Sequence, residues 1–77
     1  MLRVTILNPK ETLFAGEAES VILPGDKGDF EILPFHKPLI SLLRGGRIVL
    51  NGDRGLPISR GVVRVEHDQV VALVEQH

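Results

Sequence analysis

The chain is predicted to be all-β: a small antiparallel β-sandwich or flattened barrel of about ten short strands in two sheets. Three observations lead there. Short runs alternate apolar with polar residues, as in Val63-Arg64-Val65-Glu66. Eight Gly and five Pro are spread along the 77 residues and punctuate those runs. No stretch carries the caps and length of an amphipathic helix. A chain of 77 residues is expected to hold one domain, residues 1–77.

Leu2 to Leu7 is rich in β-branched residues and ends at the turn pair Asn8-Pro9. Thr12 to Ala15 reads as a short strand broken at Gly16. Val21-Ile22-Leu23 follows, and Pro24-Gly25 is expected to stop it in a type II turn, because Gly accepts positive φ there. Phe30-Glu31-Ile32 alternates, so one face is buried and the other wet. Pro34 ends that run. Leu39 to Leu43 is apolar with one Ser, and its length and the Gly45-Gly46 stop favour a strand.

Arg47 to Leu50 pairs naturally with Leu56 to Ser59 across Asn51-Gly52-Asp53-Arg54-Gly55. Asn-Gly is a strong hairpin signal, since both residues tolerate positive φ. Pro57 cannot donate to a ladder, which places its strand at an edge or at its own start. The last third is the cleanest hairpin: Val63 to Glu66 runs out, His67-Asp68-Gln69 turns, and Val70 to Val74 returns.

Composition excludes several classes. A domain this short buries only about 60% of the surface its unfolded chain exposes, so the core is thin. There is no cysteine, which removes disulfides and thiolate metal sites together. Nine basic residues against ten acidic ones, for a net charge of -1, offer no basic excess to a nucleic acid. Three Phe with no Trp or Tyr are too few for a base-stacking platform. No apolar run can span a bilayer and no signal-peptide core follows Met1. A soluble, cytosol-facing protein is expected, which would reach a membrane only by docking on something embedded there.

Nothing in the chain assembles into a catalytic, cofactor or metal motif. Asp26, Asp29 and Glu31 lie close together, but their spacing is not that of an EF-hand. Gly25-Asp26-Lys27-Gly28 lacks the Ser or Thr and the helix that a phosphate loop requires. His67 sits in a hairpin turn and His77 is terminal, and neither has zinc-like spacing. Ser20, Ser41 and Ser59 lack a nucleophile elbow.

His36 differs by its setting. Pro34 and Pro38 restrict the backbone on both sides, and a corner fixed beforehand loses less entropy when a partner docks. His36 reads equally as a presented contact and as a loop histidine that bonds locally. Phe35 is either an exposed anchor or a plug for the end of the core. From the residues alone, a small β-barrel adaptor of OB-like or SH3-like type stays open, as does a small hydrolase or sugar-binding protein with a dispersed site.

Leu23-Pro24-Gly25, then Gly28, Phe30, Ile32-Leu33-Pro34, His36 and Pro38-Leu39 form a long and specific run. Phe14 followed by Gly16, Gly61-Val62-Val63-Arg64-Val65 and Val70 to Val74 support it. In these residues the chain resembles the N-terminal β-sandwich of the epsilon subunit of F-type ATP synthases, over essentially its whole length. The resemblance implies a non-catalytic rotor part of the central stalk, without a cofactor. It would pack on the gamma shaft and rest on the polar loops of the membrane c-ring. It would sit peripherally on the cytoplasmic face of an energy-transducing membrane, in a proton-translocating complex.

Asp29 is then expected to face a c-ring loop and His36 to lie near the join of ring and shaft, with Phe35 enlarging the contact corner beside it. Two positions depart from the family pattern, which usually has small residues, often glycine, where this chain has Glu31 and Phe35. Glu31 is expected to strain the backbone if its position needs positive φ. Fuller members carry a C-terminal helical hairpin that brakes hydrolysis and in some cases binds ATP. This sequence stops at Gln76-His77, so the brake and that nucleotide site are expected to be absent.

Overall fold

The computed structural model describes residues 1–76. His77, the terminal histidine named above, lies outside the described residues. Nine strands follow one another: β1 (Leu2–Leu7), β2 (Thr12–Ala18), β3 (Val21–Gly25), β4 (Gly28–Ile32), β5 (Leu39–Leu43), β6 (Gly46–Leu50), β7 (Arg54–Ile58), β8 (Arg60–Glu66) and β9 (Gln69–Glu75). No helix occurs among the described residues.

The strands form two layers. One has the order β2-β1-β9-β8-β5 and the other β4-β3-β6-β7. A single bridge, Gly25 opposite Leu43, joins β3 to β5 and makes the two layers one curled sheet. The expected all-β sandwich is therefore present. At the other side of the curl the guanidinium of Arg54, on edge strand β7, lies 5.1 Å from the ring centre of Phe14 on edge strand β2. That cation–π contact draws the two free edges together.

Among the described residues the ladder departs from a purely antiparallel one at a single pair of strands. β1 and β9 run parallel, with Val4 opposite Val70 and Ile6 opposite Ala72. Parallel neighbours need a long connection, and here nearly the whole domain supplies it.

The alternation read from the sequence sorts the side chains as expected. Leu2, Val4 and Ile6 point inward from β1, Val63 and Val65 from β8, and Val70, Ala72 and Val74 from β9, all essentially inaccessible. Val21, Leu23, Ile32, Ile48 and Leu50 meet them from the opposite layer. Among the described residues no polar or charged side chain is buried. The core is held by apolar burial at about 25 cal/mol per Å², without buried ion pairs to orient.

Local expectations about turns divide. Asn51 and Gly52 both take positive φ, 54° and 77°, as the Asn-Gly pair requires. The loop is shorter than the sequence suggests, because Leu50 pairs with Arg54 and only residues 51–53 turn. β7 is an edge strand, so Pro57 leaves no ladder donor missing inside a sheet. His67 and Asp68 close the last hairpin at φ 51° and 60°.

Pro24-Gly25 does not stop its strand. β3 continues to Gly25 and the chain turns at Asp26-Lys27, with Gly28 at φ 131°. The Pro24 carbonyl still serves the sheet: it accepts the Arg44 N–H at 2.9 Å from the segment that follows β5. Gly16 does not break β2 either. The Phe14 ring folds over it, and a Cβ there would stand 3.3 Å from Phe14 Cζ.

Candidate partner-docking site

Residues 33–38 join β4 to β5 in the proline-braced corner. The His36 N–H donates to the Leu33 carbonyl at 3.2 Å, which closes a turn around Pro34 and Phe35. Phe35 stands at φ 67°, in the left-handed region that favours glycine, and its ring is 93% exposed. It does not plug the core.

The same corner answers the question about His36. Its ring is half-buried, and Nδ1 lies 2.7 Å from the Lys37 carbonyl. A carbonyl only accepts, so Nδ1 carries the proton. Nε2 has no hydrogen-bond partner among the described residues. The histidine thus bonds locally through one nitrogen and keeps the other available.

Asp29 sits near the opposite end of β4. Its carboxylate is exposed and enters no ion pair among the described residues. It lines an open cleft of about 500 Å³ with Lys27, Phe30, Ile40 and Leu42, where the layers part between β4 and β5. From Asp29 to Ile32 alone, the strand covers about 10 Å. Phe35 and His36 thus share the corner, and Asp29 stands toward the other end of β4.

A second surface lies between these points. On the outer face of the five-stranded layer, Leu42, Val62, Leu73 and Leu7 stand opposite one another across β5, β8, β9 and β1. The neighbouring row is Ile40, Arg64, Val71 and Thr5. Ile40 is 74% exposed and Leu42 65%, while Val71 and Leu73 are almost half exposed. The Arg64 guanidinium in this band is held by Glu66 at 2.6 Å. Contiguous apolar patches larger than a few hundred Å² on a folded surface mark interaction sites. No group of three or more His, Cys, Asp or Glu side chains that could hold a metal ion occurs among the described residues.

The model of the family described as "ATP synthase, Delta/Epsilon chain, beta-sandwich domain" matches residues 1–77. The chain belongs to that family. An ATP synthase epsilon chain from Bordetella petrii is 36% identical over 78 residues, covering 96% of this chain and 55% of that protein. One from Sulfurimonas denitrificans is 40% identical, covering 96% and 60%. The chain thus spans somewhat over half the length of these relatives.

Solved structures agree on the fold. A chain of the Tetrahymena thermophila mitochondrial ATP synthase central stalk and c-ring superimposes with a TM-score of 0.77, at 15% identity, over 97% of this chain and 63% of that one. A chain of the Euglena gracilis mitochondrial ATP synthase does so with a TM-score of 0.81, at 18% identity, over 95% and 49%.

For this member of the delta/epsilon family the two departures now separate. Glu31 lies within β4 opposite Ile22, with its side chain exposed and without positive φ, so the expected strain there is absent. Phe35 is where a side chain meets a left-handed backbone. A small residue at that corner is explained by φ rather than by space.

Two features of the surface escaped the sequence reading. The outer apolar band had a signal: Val70 to Val74 is apolar at every position, so its outward face is apolar as well as the face that meets the core. Asp68 had none. Its Oδ1 accepts the Phe35 N–H at 2.7 Å across 33 residues of sequence.

Proposed function

We propose that this sandwich is a non-catalytic rotor subunit of an F-type ATP synthase, seated between the gamma shaft and the polar loops of the c-ring. The observation that carries the reading is the outer apolar band around Ile40, Leu42, Val71 and Leu73, on a domain whose core is already filled by its own strands. Family membership and the relatives' name, ATP synthase epsilon chain, support the complex to which it belongs.

The band suits the shaft, where a dry contact resists slipping under torque. A stable interface takes about 800 Å² from each partner. Against a total accessible surface of 4991 Å², one face of a layer supplies that area. Asp29, unpaired and exposed at the end of β4, suits a basic group on a ring loop. Such a rim pair contributes only about 0–1 kcal/mol, so it sets position more than affinity. Phe35 and His36 add a rigid contact at the opposite end. Attachment to the membrane is then indirect, through the ring, on its cytoplasmic face.

Two measurements test the reading. The purified chain should bind purified gamma subunit and c-ring, and Leu42→Lys with Leu73→Lys should abolish gamma binding without moving the unfolding midpoint by more than a few degrees. In reconstituted complexes, Asp29→Arg with His36→Asp should lower ATP-driven proton pumping per ATP hydrolysed. Full gamma binding by the lysine variant, or unchanged pumping in the second, counts against the assignment.

A further inference from the structure

We infer that Asp68 is a positioning residue that fastens the Phe35–His36 corner to the layer bearing the outer apolar band. The inference rests on the rotor reading for its purpose, but its physical content stands on the geometry alone. The corner leaves β4, which belongs to the four-stranded layer, yet among the described residues no hydrogen bond from residues 34–38 returns to that layer. The Phe35 N–H donates to Asp68 Oδ1 at 2.7 Å, and Asp68 lies in the β8–β9 turn of the other layer.

That turn is itself held. The Asp68 carbonyl accepts the Arg3 N–H at 2.8 Å from the start of β1. One aspartate therefore links the corner, through its side chain, and β1, through its main chain, to the last hairpin. Two left-handed backbones face each other across the contact, Phe35 at φ 67° and Asp68 at φ 60°. The first is unfavourable for an aromatic residue, whereas Asp adopts that region readily. The carboxylate aimed at the Phe35 N–H holds the strained residue in place.

The consequence is mechanical. β5 begins at Leu39, directly after the corner, and it carries Ile40 and Leu42. With Phe35 pinned to the β8–β9 turn, the corner and the apolar band move as one surface rather than as a loop beside a sheet. When a site is competent for only a fraction of the time, its apparent affinity falls by that fraction. If release of the clamp leaves the corner in place about a tenth of the time, binding through it weakens about tenfold.

The test uses the 77-residue chain with three sequences: unchanged, Asp68→Ala and Asp68→Asn. Asn keeps an Oδ1 acceptor and tolerates the left-handed backbone, so it separates the hydrogen bond from the residue's bulk. Hydrogen exchange at the Phe35 amide is followed by NMR, and affinity for purified gamma subunit and c-ring is measured alongside. Asp68→Ala should speed Phe35 exchange and weaken binding about tenfold, and Asp68→Asn should restore most of both.

Unchanged Phe35 exchange in Asp68→Ala overturns the clamp. Faster exchange with unchanged affinity overturns its positioning role. Should the unchanged chain bind neither partner, the rotor reading fails by itself, and the exchange comparison still decides whether Asp68 holds the corner.

Discussion

Replacing Phe35 by Gly and by Ala isolates the backbone strain at the corner. Phe35 is 93% exposed, so neither change removes much burial. Full burial of a Phe is worth about 1.5–3 kcal/mol, so the small covered part contributes about 0.2 kcal/mol. The left-handed backbone costs an L-residue about 1–2 kcal/mol. Ala retains that penalty because it keeps the Cβ, and Gly loses it. Against this, a glycine makes the unfolded chain more flexible, at about 0.5–1 kcal/mol.

The difference leaves Phe35→Gly more stable than Phe35→Ala by about 0–1.5 kcal/mol. At an ordinary strand or helix position the order is reversed, with Gly about 0.5–1 kcal/mol below Ala. The sign therefore reads the φ of residue 35 in solution. With no Trp or Tyr in the chain, urea unfolding is followed by far-UV circular dichroism, comparing midpoints at constant slope. For a domain of this size 1 kcal/mol moves Tm by about 4–8 °C. An Ala variant that is more stable than the Gly variant by about 0.5 kcal/mol or more would show that Phe35 does not hold positive φ, and the strained corner would be withdrawn.

Two further substitutions probe the body that supports the corner. In Gly25→Ala the new Cβ would stand 2.7 Å from both the Phe30 ring and the Gly28 carbonyl. A loss of about 1–3 kcal/mol is expected, with part of it regained by Phe30→Leu in the same chain; a neutral Gly25→Ala would mean that the ring is not seated there. Ile48→Ala empties a fully buried position where the two layers meet. The expected loss of about 2–5 kcal/mol is a large share of what a domain of this size possesses, so the cooperative urea transition should shift strongly or vanish. A shift below about 1 kcal/mol would place Ile48 outside the core.

How much of this was legible beforehand depends on the range of the interaction. Turns were readable where a pair of residues carries its own φ preference, as at Asn51-Gly52. The turn lies two residues beyond Pro24-Gly25, at Asp26-Lys27, because β3 stays paired with β4 as far as Gly25 opposite Gly28. Gly16 looked like a break until Phe14 was seen to fold over it. Leu39 to Leu43 is a strand, as its length and the glycines after it imply, but nothing in its apolar run says that Ile40 and Leu42 face outward. Of the three expected contact residues, the structure keeps Phe35 and His36 together and sends Asp29 to the far end of β4.

The sequence by itself determined the all-β class, the strand alternation, the last hairpin and the absence of a recognisable catalytic motif. These follow from side chains and φ preferences of neighbours a few residues apart, which act before the chain has any tertiary contact. The tertiary structure alone decided the parallel pairing of β1 with β9, the single bridge from Gly25 to Leu43 and the bond from Phe35 to Asp68. Those partners are distant in sequence and carry no local preference for one another. They meet only because burying the inner faces of two layers leaves the strand edges and the corner one place to go.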